Sequence, residues 1–142
     1  MMTSENLRPG TIVNYPYLWR WQHDRGETEG RKERPVCVVL AVRNDKDAFT
    51  HLALLAISSQ PPHPDRTCLE VPEIECRRGG LSTLKRAWIS VDEYNYDIAE
   101  HSYYFDVRQE PLGRFSKQFV TQLASAFIPL FKDRRARVPR VD

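Results

Sequence analysis

The stretch Gly26–Leu40, GETEGRKERPVCVVL, joins two unlike halves: a charged segment with three glutamates, two arginines and a lysine, and the wholly apolar run Val36–Leu40. Arg34 and Pro35 mark the junction. An arginine at the mouth of a buried strand, beside a loop carboxylate, has the parts to bind a phosphate and act on it. Its planar fork matches two phosphate oxygens and it stays charged at any working pH. The same residues also suit a solvated turn in which Arg34 pairs with Glu33 or Glu29 at the surface. Upstream, YLWRWQHDR (Tyr17–Arg25) interleaves aromatics with arginines. Flat rings stack on unpaired bases while arginines hold phosphates. The competing reading takes Tyr15, Tyr17, Trp19 and Trp21, which recur at every second residue, as one face packed on the core or on a second copy.

Other titratable residues carry less. His23 has a near-neutral ring suited to a general base, or is a solvated loop histidine. His51, inside an apolar strand, reads as a satisfied core histidine. His63 and His101 fall in loops without partners at metal-ligand spacing. Asp92 and Glu93, in SVDEY, end a strand; an acid there could position Arg34 or a substrate, or close a turn. GETEGRK lacks the spacing and the Lys-Ser/Thr ending of a Walker loop.

The elements that must position these residues are mostly short strands. GTIVNYPY (Gly10–Tyr17) reads as a first strand, followed by the loop QHDRGETEGRKE. Pro35 opens the second, VCVVLAV, where a proline is tolerated. NDKD is a turn, and FTHLALLAIS is a third strand, apolar enough to be buried on both faces. SQPPHPD breaks the chain, TCLEV is a fourth strand, and PEIECRRGGL has the leading proline and trailing glycines of a short helix. RAWISVDEY predicts a fifth strand, DIAEH a turn and SYYFDV a sixth strand. From Ser116, a plausible N-cap, Phe119, Leu123, Phe127 and Phe131 recur at four-residue spacing and predict a helix that Pro129 should bend or shorten. The expected fold is mainly β: a small, strongly curved, mostly antiparallel sheet with a terminal helix closing one side and one short additional helix. One domain covers residues 1–142, with a core over about 8–131 and a basic tail over 132–142.

Bulk properties exclude several classes. The chain has 142 residues, 41% of them apolar and 28% charged, as in ordinary soluble domains. The net charge of +2 is uneven: the tail from Lys132 holds five cations against two aspartates, so the remainder is slightly acidic and is not a basic DNA-binding body. The tail itself reads as a frayed terminus. Three cysteines without a CxxC pair suit a reducing compartment, with Cys37 a small core residue. MMTSENLRPG has no apolar signal region and no run approaches membrane-spanning length, so a cytoplasmic location is expected.

Four stretches, in order, resemble the PemK/MazF family of toxin endoribonucleases from bacterial toxin–antitoxin pairs: RPGTIVNYPY, GETEGRKERPVCVVL, LLAISSQ and LGRFSKQFVTQLASAF. They span about residues 8–131. The loop between the first two strands and the stretch DEYNYDIAEHSYYFDV are longer than is common in that family, which marks a divergent subgroup. The resemblance implies an SH3-like, CcdB/PemK-type barrel, usually a homodimer, that cuts single-stranded RNA without metal or other cofactor. It maps the family's loop glutamate to Glu29, its arginine to Arg34 and its hydroxyl residue to Ser58. Trp19, Trp21, Arg31, Lys32, Gln60 and Asp92 are the candidates for holding substrate around them. Such cleavage uses the ribose 2′-hydroxyl as nucleophile and needs a base, an acid and cationic donors for the phosphorane. Arg34 suits the last role, Glu29 the base or a partner orienting Arg34, and Ser58 a hydrogen bond to phosphate. The implied partners are messenger RNA and an antitoxin whose acidic segment would lie over Arg34 and the GETEGRK loop. Two rivals stand beside this expectation: a non-catalytic RNA- or protein-binding module of the same fold, and a gyrase-poisoning CcdB-type protein. The latter depends on a tryptophan near its C-terminal end, where this chain reads RARVPRVD.

Overall fold

A computed structural model describes residues 7–141 of the chain. The reading of the N-terminus as lacking a signal region falls largely on residues 1–6, outside these. The elements run β1 (Thr11–Tyr15), α1 (Arg20–Asp24), β2 (Arg34–Asn44), β3 (Phe49–Ser58), β4 (Cys68–Glu70), α2 (Glu73–Arg78), β5 (Trp88–Ser90), β6 (Tyr94–Ile98), β7 (Gly113–Arg114), α3 (Lys117–Phe131) and β8 (Arg137–Pro139). The protein is mainly β, as expected. Its sheet runs β4-β5-β3-β2-β1-β7, with β6 on the first half of β3 and β8 on β6. All strand pairs are antiparallel except β6 with β8, and the described pairs form an open path, not a closed ring.

The long β2–β3 hairpin is the spine. Leu52–Ile57 are all at most 3% exposed, so β3 is covered on both faces as its apolar run predicts. A bulge between Val38 and Leu40 puts the neighbours Val39 and Leu40 against the same cluster, where plain alternation would separate them. One cluster lies under α2 and α3, where Phe119, Leu123 and Phe127 form the buried stripe. The Ser116 hydroxyl accepts the Phe119 N–H as the N-cap, and the helix runs past Pro129 to Phe131. The other cluster, on the opposite face, joins Val36, Val38, Leu54 and Ala56 to Tyr15, Tyr17 and Phe105. The hairpin tip is residues 45–48, where Ala48 takes a left-handed backbone (φ 62°) and its N–H bonds to the Asn44 carbonyl.

Four expectations need correction, each for a local reason. The alternation of four aromatics stops at Tyr17. Three consecutive N–H groups beyond it are taken by side chains: Leu18 by Asn95, Trp19 by Gln22 and Arg20 by Glu93. The chain therefore turns into α1, a second short helix where a loop was expected. Tyr15 and Tyr17 are buried, Trp19 is partly buried and Trp21 is 44% exposed. YNYDI, expected to lead into a turn, is β6. Asn95 and Asp97 of β6, with Glu93 just before it, grip the Tyr15–Arg20 segment. SYYFDV is not a strand, because the Ser102 hydroxyl accepts two successive N–H groups, from Tyr104 and Phe105, and donates to Asp97. The basic tail is not frayed: Ala136 and Val138 are buried, and β8 completes the sheet beside β6.

Among the described residues no helix is long and apolar enough to cross a membrane. Cys37, Cys68 and Cys76 are free thiols. Burial pushes the Cys37 thiol up to about 12, so it stays a protonated core residue.

Candidate functional site

The site lies at one end of the hairpin. β2 begins at Arg34, opposite Tyr15 of β1, and β3 ends at Ser58, opposite Trp88 of β5. The β2–β3 pairing ends at Val36 with Ala56, two residues short of both Arg34 and Ser58. The two residues therefore lie at the same end of the hairpin, although 24 positions separate them in sequence. The Ser58 hydroxyl accepts the Gln60 N–H at 3.1 Å, which starts the turn into the proline-rich break.

Trp19 is the wall between two open cavities. The first, about 200 Å³, is lined by Trp19, Trp21, Ser58, Gln60, Arg66 and Trp88, among others. The second, about 260 Å³, is lined by Tyr17, Trp19, Trp21, Arg31, Lys32 and Arg34, with Gln22. A guanidinium from each lies near the Trp19 ring, Arg34 at 5.1 Å and Arg66 at 5.5 Å from its centroid. Trp21 lines both cavities and carries Arg31 at 4.8 Å from its ring.

The two arginines near Trp19 differ in their partners. Arg66 grips Asp92 with both arms, at 2.8 and 2.7 Å, and reaches Glu93 at 2.9 Å. Hydrogen bonding to Asp92 holds its pKa above the ordinary arginine value. Burial pushes the Asp92 carboxyl up, but the Arg66 and Thr67 hydrogen bonds outweigh it and hold the group below its usual range. Burial wins at Glu93, whose pKa is raised although Arg66, the Arg20 N–H and the Tyr17 hydroxyl all face it. Arg34 has no such shell. Its Nε is buried without a hydrogen-bond partner, and burial lowers its pKa. Among the described residues no carboxylate pairs with it, so the surface ion pair with Glu33 or Glu29 does not form. Arg34 remains a cation with donors to spare.

The sequence-expected residues thus divide. Arg34, Trp19, Trp21, Arg31 and Lys32 line one cavity, and Ser58 and Gln60 join the tryptophans in its neighbour. Arg31 is also held by Glu27 through two 3.1 Å bonds. Glu29 is exposed and lines neither cavity. Asp92 faces an outer hollow with Arg20, Asp24 and Arg135, and it orients Arg66, not Arg34. His23 lies in α1 and lines neither cavity. His51 is satisfied on both nitrogens, by Tyr96 and Asp47. Sequence reasoning missed Arg66 and Trp88. Trp88 stood in an expected strand with nothing to mark it as cavity lining, and Arg66 follows a proline-rich break whose path no periodicity reveals.

Chemically, the arrangement offers an unneutralised, partly desolvated guanidinium beside flat indole faces and two further cations. It is suited to a phosphate flanked by unpaired bases. No family model matches this chain, and comparison with curated proteins and with solved structures gives no match.

Proposed function

We propose that this protein binds single-stranded RNA across the Trp19 cavities and cleaves it without a metal, as an endoribonuclease of the PemK/MazF type. The observation that carries the reading is Arg34: a partly buried cation whose Nε has no partner, facing a cavity lined by Arg31, Lys32 and two tryptophans. A buried donor left unpaired is costly unless a ligand satisfies it. In the reaction the 2′-hydroxyl gives its proton to solvent water and attacks its own phosphate, the bond to the 5′-oxygen breaks and that oxygen takes a proton from water, and the charge that builds on the equatorial oxygens is met by the Arg34 fork. Ser58, in the neighbouring cavity beyond Trp19, supplies a hydroxyl for a phosphate oxygen. Trp19 and Trp21 hold the flanking bases by stacking, and Arg31 and Lys32 hold neighbouring phosphates. Under this reading the curved sheet is an SH3-like barrel variant acting in the cytoplasm, where its RNA is. Exposed Val42, Ile128 and Phe131 supply apolar area for a homodimer, and an antitoxin covers Arg34. The test is incubation of the purified protein with long single-stranded RNA in chelator. Fragments ending in 2′,3′-cyclic phosphate are expected; cleavage that stops in chelator and returns with magnesium or zinc would overturn the mechanism.

One observation favours the second reading, a binding module without chemistry: the exposed Glu29 places no base beside Arg34. RNA retained on the protein but uncut across varied sequences would select it.

A further inference from the structure

The end of the described chain reaches back to the loop that carries Glu29, Arg31 and Lys32. β8 pairs with β6 from Tyr94 opposite Arg137 to Tyr96 opposite Pro139, and the next residue, Arg140, is 7% exposed. Its backbone N–H donates to the Tyr96 carbonyl at 2.8 Å, which continues the strand pairing. Its Nη1 donates to the Pro16 carbonyl at 2.7 Å and to Asn95 Oδ1 at 3.0 Å, and its Nη2 to the Thr28 carbonyl at 3.3 Å. The guanidinium lies 3.8 Å from the centre of the Tyr104 ring and 5.2 Å from that of Tyr15. Two acceptors are backbone carbonyls and the third is the Asn95 amide oxygen, so the cation orients neutral groups instead of neutralising an acid. Gly30 meets the same corner independently: with φ +72°, a Cβ there would lie 2.5 Å from the Pro16 oxygen. The loop is thus bonded at Thr28 and packed against the Pro16 carbonyl at Gly30, on either side of Glu29.

We propose that Arg140 is a positioning residue for the RNA site, tying the loop at 26–33 to the C-terminal strand so that Arg31 and Lys32 stand at the cavity beside Arg34. The inference rests on the nuclease reading for what the loop does, and on the geometry above for the tie itself. The test is hydrogen exchange by mass spectrometry on the full chain without RNA, comparing wild type, Arg140→Gln, Arg140→Lys and Tyr104→Leu. In both Arg140 variants the Glu27 amide, which bonds the Gln22 carbonyl at the start of the loop, and the Leu18 amide, which bonds the Asn95 oxygen that Arg140 shares, should exchange roughly tenfold faster while α3 keeps its protection. Lysine has three donors on a single nitrogen and no planar fork, so it cannot reach acceptors served from both Nη1 and Nη2 and should recover little. Tyr104→Leu, which keeps the cation and removes its ring, should give the same selective change at smaller size. These amides unchanged in all three variants would overturn the proposal, as would equal acceleration in α3, which would make Arg140 a global packing residue. With RNA, the Arg140 variants should show KM raised about tenfold and kcat little altered, the signature of lost substrate binding. A wild type that cuts no RNA would remove the nuclease reading, and the exchange result would still decide the tie.

Discussion

Two arginines, one from each side of the chain's proline-rich break, share Trp19. Arg66 has spent its donors on Asp92 and Glu93, and its charge is neutralised where it stands. Arg34 has spent almost none: it pays for partial burial with a lowered pKa and an unpartnered Nε. The difference separates two uses of one side chain. A guanidinium enclosed by carboxylates fastens a fold, because removing it strands charges that burial has already made costly. A guanidinium held over a ring with its donors free fastens nothing in the resting protein and is ready for an anion. Proximity to the same tryptophan would not have distinguished them; their partners do.

The largest effect that sharpens this contrast is catalytic. Arg34→Ala should lower the rate of RNA cleavage on the order of 10²-fold or more, and Arg34→Lys should recover little, because the fork is lost. The melting temperature should change little, since no ion pair or hydrogen bond is abandoned and only the contact with the Trp19 ring is lost. A sharp fall in melting temperature with cleavage retained would make Arg34 structural and dissolve the comparison. The converse is Arg66→Ala, which should cost about 2–3 kcal/mol in urea unfolding, below the value for a fully buried pair because this network is partly open to water. RNA affinity per folded molecule should change less than for Arg34→Ala.

A smaller effect concerns pH. Asp92 is depressed in the folded state, so its contribution is full above the ordinary value of 3.8 and is lost as pH falls through the lower folded value. Glu93 is raised above its ordinary 4.5 and works in the opposite sense: its proton favours the fold at low pH, and that help is lost as pH rises through the folded value. The stability gap between wild type and Asp92→Asn, about 1–2 kcal/mol at neutral pH, should therefore persist down to about pH 4 and close only below it. A gap that closes near neutrality would assign the effect to another group. Smallest is Glu29→Ala, expected to change cleavage by less than about threefold, where loss of a true general base costs 10²-fold or more. A loss of that larger size would mean that the loop folds over the RNA and brings Glu29 to the phosphate.

The sequence was most legible where one signal dominated. Phe49–Ser58 and the helix from Ser116 follow from apolar pattern and an N-cap, and the Arg34–Pro35 strand start follows from proline's place at a strand end. It was least legible where side chains captured backbone. Nothing in the spacing of Trp19 and Trp21 reveals that Asn95, Gln22 and Glu93 will turn the chain into a helix there. Nothing in SYYFDV, strand-like by composition, reveals that Ser102 will bind two of its N–H groups. The parallel partner of β6 lies in a segment whose charge reads as solvated tail, yet it places Val138 in the core. For the site, Arg34 and Ser58 were visible as types, while their place in neighbouring cavities on either side of Trp19 was not. Arg66 and Trp88, which complete the cavity, carry no local mark.

The hairpin tip has a consequence for how fast the protein folds. β2 and β3 are the longest strands and are joined by only four residues, so their pairing is the cheapest long contact for the collapsing chain to make. Forming it requires Ala48 to enter a left-handed conformation that costs an L-residue about 1–2 kcal/mol. If the hairpin is made at the barrier crossing, that cost is levied on the folding rate and hardly at all on the unfolding rate. Stopped-flow refolding of Ala48→Gly should then show a steeper gain on the folding limb of the chevron, with the unfolding limb nearly superimposed on that of wild type.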